Sequence, residues 1–329
     1  MNNFKKVSLT ALGASLVATS AYAGEVTVAG GASMKVSHQN GGAANTGKSF
    51  SMGNQLTFTG GGELDNGLNV SISFILDQGD DTAVASGPFD SHSVTVSSDA
   101  LGSVTMHGEG GDSAVGAIDG SAAGGLWDNT FLSTGVTGAK PKAAAAQAGI
   151  LVYTLPTLAD GFSATASYSP KKSHAESSTS FAITYTGVEG LTVKYGTGED
   201  NQTAGSFADQ TAMYASYAYG PITFAYSNTE YDDVTANQDQ EMTSMNISYT
   251  VSDEISISYG STEIEDGTAN SATNLDAEVA GFTASYTAGG MTLKTQRIFC
   301  RNLQKKIKKI NKLYIWLKLL QRLNTILKM

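Results

Sequence analysis

From Glu25 to Met291 apolar and polar residues alternate in short runs. Leu68, Val70, Ile72, Phe74 and Leu76 alternate with Asn69, Ser71, Ser73 and Ile75, and Ile222, Phe224 and Tyr226 with Thr223, Ala225 and Ser227. Met245-Ile247-Tyr249-Val251, Ile255-Ile257-Tyr259 and Phe162-Ala164-Ala166-Tyr168 repeat the pattern. A period of two predicts strands with one apolar and one polar face. The runs meet in pairs at tight turns: Asp65-Asn66-Gly67, Ala100-Leu101-Gly102, Ala159-Asp160-Gly161, Val188-Glu189-Gly190, Gly220-Pro221, Ser252-Asp253 and Ala288-Gly289-Gly290. Gly recurs there because such turns demand positive φ. Turn centres lie 29 to 36 residues apart, with one gap of 59. Each unit is therefore two strands of roughly ten residues plus a longer connection, the length of a tilted strand crossing a bilayer. The wide gap marks an insertion.

The other ends of these pairs are long, polar and acidic, as at Gly79-Asp80-Asp81 and Tyr231-Asp232-Asp233. Short turns on one side and long loops on the other are the asymmetry of an outer-membrane barrel. Tyr168, Tyr185, Tyr195, Tyr219, Tyr249 and Tyr286 fall near predicted strand ends, where a ring can sit among headgroups. A soluble sandwich shares the alternation, so the opposite face decides. Ser, Thr, Ala, Asn and Gly dominate it, with few charges, which suits a wall facing water in a lumen better than a soluble surface rich in Lys and Glu. The expected fold is all-β, a transmembrane antiparallel barrel in the outer membrane.

Composition sharpens this picture at the two ends. Only 15% of the 329 residues are charged, and beyond the first 23 no apolar run is long enough to span a bilayer as a helix. Lys5 and Lys6, the uncharged stretch from Val7 to Thr19 and the small-x-small Ala21-Tyr22-Ala23 predict a signal peptide, residues 1–23, cleaved after Ala23. Residues 296–329 hold 10 of the 20 Lys and Arg, no acid, no Gly and the single Cys. Ile307, Ile310, Leu313, Leu317 and Leu320 form a helical stripe there. This basic tail resembles a surface-seeking amphipathic helix, but its break with every habit of the preceding chain favours the product of a reading-frame shift. All 30 acidic residues lie between residues 24 and 295 against eight Lys, a net −22 that excludes nucleic acid as a partner.

Familiar chemistry is hard to place. Gly42-Ala43-Ala44-Asn45-Thr46-Gly47-Lys48-Ser49 has P-loop spacing, but a strand is expected where the motif needs a helix. His38, His92, His107 and His174 lack metal-ligand spacing, and no nucleophile elbow occurs. No cofactor is expected; the alternative is Ca²⁺ held between acidic loop pairs such as Asp80-Asp81 and Asp232-Asp233. The 38 residues from Gly111 to Ala148, between strands 5 and 6, exceed a plain connection, and loops of that length are usually functional or disordered. They contain Asp112, Asp119 and Asp128, with Trp127 and Phe131 as anchors; Glu109 enters the loop and Lys140 and Lys142 leave it.

These features together resemble the Gram-negative general porins, specifically the alphaproteobacterial 16-stranded type. The segment SMGNQLTFTGGGELDNGLNVSISFILDQGDD, residues 51–81, looks like the second and third strands of that family with their turn, and the resemblance covers roughly residues 24–294. A 16-stranded member has seven periplasmic turns, the number found here. On that register Met291 to Thr295 begins strand 15, about 14 strands are complete, and the rest of strands 15 and 16 is expected to be missing. The resemblance implies a homotrimeric, water-filled diffusion channel for small hydrophilic solutes, with residues 111–148 as the third loop that narrows the pore. Many members oppose an Arg-rich wall to an acidic loop. Here Arg297, Arg301 and Arg322 all lie in the tail, leaving Lys35, Lys194 and His107 as candidate wall cations. The pore is expected to prefer cations, because selectivity follows the fixed charges at the narrowest section. The alternatives are an adhesin-type or structural barrel that binds partners through its acidic loops and, more distantly, a barrel hydrolase.

Overall fold

Fifteen antiparallel strands account for the alternating runs. The computed structural model describes residues 26–39, 47–77, 90–118, 122–123, 148–157, 159–171, 175–203, 206–234, 239–266 and 276–303. The strands are β1 (Val26–Gln39), β2 (Gly47–Glu63), β3 (Asn69–Asp77), β4 (Ser91–Ser98) and β5 (Gly102–Glu109). After the insertion come β6 (Ile150–Thr154), β7 (Phe162–Ser169), β8 (Ser178–Tyr185), β9 (Leu191–Thr203) and β10 (Ser206–Tyr219). The last are β11 (Ile222–Asp233), β12 (Gln240–Thr250), β13 (Ile255–Asp266), β14 (Asp276–Ala288) and β15 (Met291–Leu303). They form one meander in strict chain order, each pairing with its sequence neighbours; β1 and β15 stand at its two ends, with one partner each among the described residues.

All seven expected turns lie at one end of the sheet. At the β10–β11 turn Gly220 takes a φ of +56°, and at the β14–β15 turn Gly289 and Gly290 take +57° and +82°, a conformation that a side chain would strain. The opposite end carries the longer connections, with one exception. β9 and β10 extend their pairing to Thr203 and Ser206, so that hairpin closes with two intervening residues.

Register explains which face looks where. The row Tyr217, Phe224, Ile247, Tyr259, Phe282 runs straight across β10 to β14 on one face. These side chains are exposed or partly exposed, Phe282 at 58% and Ile247 at 40%. The other face carries mainly Ser, Thr, Gly and Ala and holds nearly all the fully buried positions, among them Ser180, Ser227, Ser244 and Thr262, with the apolar Ile150, Met242, Ile264 and Val279 buried beside them. A sheet that turns its large apolar residues outward and shields its hydroxyls inside is built for lipid. The aromatic expectation holds at the short-turn end, where Tyr185, Tyr219, Tyr249 and Tyr286 close their strands on the outer face and Phe162 packs on Tyr185 with ring centroids 4.5 Å apart. Tyr195 instead stands inside β9.

The expected change of structure at residue 296 is not where the strand ends. β15 runs on through Gln296 to Leu303, in unbroken register with β14 from Ala288↔Met291 to Asp276↔Leu303. Among the described residues fifteen strands are thus present, one more than the about 14 complete ones expected, and residues 296–303 are strand rather than helix. Backbone pairing explains this: once the Gly289-Gly290 turn fixes the register, the edge of β14 accepts a partner whatever its side chains. The remainder of the basic tail, with its helical stripe, lies outside the described residues. Gly47, Lys48 and Ser49 open β2, so the P-loop spacing leads into a strand without the helix that phosphate binding requires.

Candidate functional site

The inner wall is not lined evenly. On β1 and β2 its residues are open: Ser33, Lys35 and Gln55 are exposed. On β7 to β14 they are covered, and against β7 to β11 part of the cover is the chain leaving β5. After Gly110, whose φ is +68°, residues 111–118 turn inward and lie against the wall, with Ser113, Ala114, Val115 and Ile118 all buried.

The contact is built from the wall outward. Cross-strand register sets Ala182 on β8, Gly196 on β9 and Ala212 on β10 in one inner row. Three such small residues leave a shallow notch, which Val115 and Ile118 fill, packing also against Tyr214. One row toward the loop end stand Ser167 on β7 and Ser180 on β8, directly paired, with their hydroxyl oxygens 2.6 Å apart. The amide of Ala114 donates to Ser167 Oγ at 3.0 Å and that of Val115 to Ser180 Oγ at 3.3 Å. Within the loop, Ser113 Oγ accepts from the amide of Gly116 at 3.0 Å. Further round the wall, the amide of Ala122 donates to Ser227 Oγ on β11 at 2.7 Å, where Ser227 is wholly buried. A loop inside a barrel must satisfy its backbone without a strand partner, and wall hydroxyls supply the acceptors.

The site residues expected from sequence divide into three groups. His107 on β5 faces inward beside Ile150 at the root of the loop, where the loop packs closely: a Cβ on Gly111 would stand 2.6 Å from His107 Cβ. Asp112 follows, exposed. Lys35 is inward and exposed on β1; Lys194 is inward on β9, one row from Gly196 toward the turns, with Nζ 5.4 Å from the centroid of the Tyr214 ring. Glu109 differs. An irregularity in the β4–β5 ladder sets it opposite His92, which belongs to the outer row, and so carries it out of the row of His107. Asp119, Asp128, Lys140 and Lys142, with the expected anchors Trp127 and Phe131, lie outside the described residues.

The register adds residues the sequence did not single out: the wall acceptors Ser167, Ser180 and Ser227, and Lys294, inward and exposed on β15. Serines are too common here to signal anything alone. Gly196-x-Gly198 inside a strand was the available signal, since glycine within a strand marks a close approach of other atoms. Asp232 and Asp233 turn to opposite faces of β11, as neighbours on a strand must, and so do not form a chelating pair. Asp80-Asp81 lies outside the described residues, and among those described no cluster of three or more His, Cys, Asp or Glu is spaced for a metal.

Comparison with known proteins follows the same lines. The family model of the Gram-negative porins matches residues 8–295. Among solved structures, an anion-selective porin from Comamonas acidovorans superposes with a TM-score of 0.64 at 17% identity, over 85% of this chain and 90% of that one. Salmonella typhi OmpF in complex with daunomycin gives 0.63 at 15% identity, over 86% and 92%. A mutant of the Rh. blastica porin gives 0.56 at 13%, over 84% and 97%. Among curated proteins none matches the chain.

Proposed function

Because this chain belongs to the Gram-negative porins, a family of passive outer-membrane channels and not of enzymes, we propose that it passes small hydrophilic solutes and ions through a lumen narrowed by residues 111–148, with a preference for cations. The observation that carries this reading is the placement of Ser113, Ala114, Val115 and Ile118, buried against the inner faces of β7 to β10 while the inner faces of β1 and β2 stay open. A loop pinned to one half of the wall leaves the other half to water. The export signal in residues 1–23 and assembly as a homotrimer complete the proposal; the mature chain then starts at Gly24, which N-terminal sequencing of outer-membrane protein would show, and migrates as a heat-sensitive trimer on a gel.

The cation preference rests on where the charges stand. Inward-facing cations on the described wall are Lys35, Lys194 and Lys294, without Arg. At the loop end Asp77, Asp200 and Asp233 face inward. Around the same end, Glu199, Asp209, Glu230, Asp232, Glu241, Glu263, Glu265 and Glu278 occupy the outer rows of β9 to β14. Such a rim concentrates cations at the pore mouth. The Comamonas neighbour is described as anion-selective, but at 17% identity the likeness concerns the fold alone. The test is the full chain in a planar bilayer under a KCl gradient. Stepwise conductance with a reversal potential favouring K⁺ is expected; a potential favouring chloride would overturn the preference, and a protein that folds and inserts without steps would overturn the channel.

A further inference from the structure

We infer that Gly196 sets the calibre of the pore by fixing how deep residues 111–118 sit in the wall, an inference that rests on the channel reading above. A Cβ built on Gly196 would stand 2.6 Å from Ile118 Cδ1, 3.2 Å from Val115 Cα and 3.2 Å from the Phe181 carbonyl oxygen. The first contact is with the tip of a flexible side chain, which can turn away. The second is with the backbone of the loop, which moves only if the loop lifts. Wall and loop are therefore in contact at the bottom of the notch, and Ala182 and Ala212 on either side keep it shallow. The neighbouring glycine is close to its surroundings for another reason: a Cβ on Gly198 would meet Ser180 Cβ at 2.1 Å, on the very serine that accepts the Val115 amide.

The loop is thus held from two sides. Apolar contact draws Val115 and Ile118 into the notch, and the paired hydroxyls of Ser167 and Ser180 fix the two amides beside it. A side chain at position 196 pushes the loop toward the open half of the lumen, so Gly196 is a positioning residue for the constriction and touches no solute itself.

The test compares single-channel conductance of the full-length protein and variants in planar bilayers, with heat-modifiable gel mobility as the check on folding. Wild-type steps establish the channel first, so their absence from folded, inserted protein would count against the channel reading and not against this one. Gly196→Ala is expected to have a small effect, because Ile118 can turn aside and the loop backbone at Val115 Cα, 3.2 Å from the added Cβ, need give by only a few tenths of an ångström. Gly196→Val, whose methyls extend toward Val115, should lower unitary conductance by roughly a third and exclude the larger sugars that wild type admits. Adding Ile118→Ala to Gly196→Val should recover part of the loss, which general damage to the barrel would not allow. Folded Gly196→Val with wild-type conductance and exclusion limit overturns the inference, and so does a loss that Ile118→Ala leaves unchanged. Should Gly196→Val fail to fold, the pair Ser167→Ala/Ser180→Ala decides: more frequent partial closures support a loop held at this seat, and a wild-type record overturns it.

Discussion

A serine buried in a wall that faces water is an unusual economy, and its meaning depends on what it accepts. Ser227 lies on the inner face of β11 with no exposed surface, and the Ala122 amide donates to it at 2.7 Å. Replacing it with Ala keeps the strand and removes the acceptor, leaving a buried amide without its bond at a cost of about 1–2 kcal/mol. That cost falls on the loop and not on the ladder, so Ser227→Ala is expected to leave gel mobility unchanged while accelerating tryptic cleavage after Lys142; Lys140 precedes Pro141 and resists the enzyme. Cleavage at the wild-type rate would show that Ser227 does not hold the loop. Residues of this kind were the least legible part of the sequence. Inner parity predicts a polar side chain at 167, 180 and 227 but not that a loop leans on it, because the partner is 53 to 105 residues away. Lys35, Lys194 and His107 stand on the inner face, the first two at positions whose parity is opposite to their apolar neighbours, whereas Glu109 leaves that face because a single irregularity in the β4–β5 ladder shifts the register after His107.

Strands and turns were legible for a different reason: each is specified locally. A period of two and a glycine at the turn need no knowledge of the partner, and every apolar run quoted from the sequence stands on the outer face with its parity intact. β15 shows the limit of that logic. Its outer positions begin with Met291 and Leu293 and continue with Thr295, Arg297 and Phe299, so the apolar pattern fails midway while the pairing with β14 persists. Pattern alone would end the strand at Thr295, and backbone hydrogen bonding carries it to Leu303. Arg297 is the misfit. It extends the outer row of Phe224, Ile247, Tyr259 and Phe282, directly opposite Phe282, and its guanidinium carbon lies 5.3 Å from the centroid of the Phe299 ring. The aromatic ring offsets part of the cost of holding a cation among lipid-facing side chains, and an Arg on the lipid face destabilises a barrel by up to about 2–4 kcal/mol at the bilayer midplane and less toward the interfaces. Arg297→Leu is therefore expected to raise stability by about 2 kcal/mol in urea titration of the bilayer-inserted protein. A loss of stability would mean that β15 leaves the lipid-facing wall at this height.

Across the whole molecule, net charge and lumen charge part company. The −22 of residues 24–295 suggests an acidic pore, yet the described inner wall sets Glu63, Asp77, Asp200 and Asp233 against Lys35, Lys194 and Lys294, close to balance. Much of the excess stands on the outer rows near the loop end, where Glu230, Glu241 and Glu265 are successive partners across three strands and repel one another. The proposed cation preference would then act mainly at the mouth, through the field of a rim, and not through contact at the narrowest section. The two origins respond differently to salt. The Debye length shrinks from about 10 Å at 0.1 M to about 3 Å at 1 M, so a rim loses its hold on passing ions while charges lining a constriction keep theirs. The permeability ratio of K⁺ over Cl⁻, measured from reversal potentials at a fixed gradient, is expected to fall toward one as mean KCl is raised through that range. Replacing Glu230, Glu241 and Glu265 together with Gln should lower the ratio at low salt and leave it unchanged at high salt. A ratio that holds steady at 1 M would move the origin of selectivity from the rim to the loop, with Asp112 as the first residue to replace.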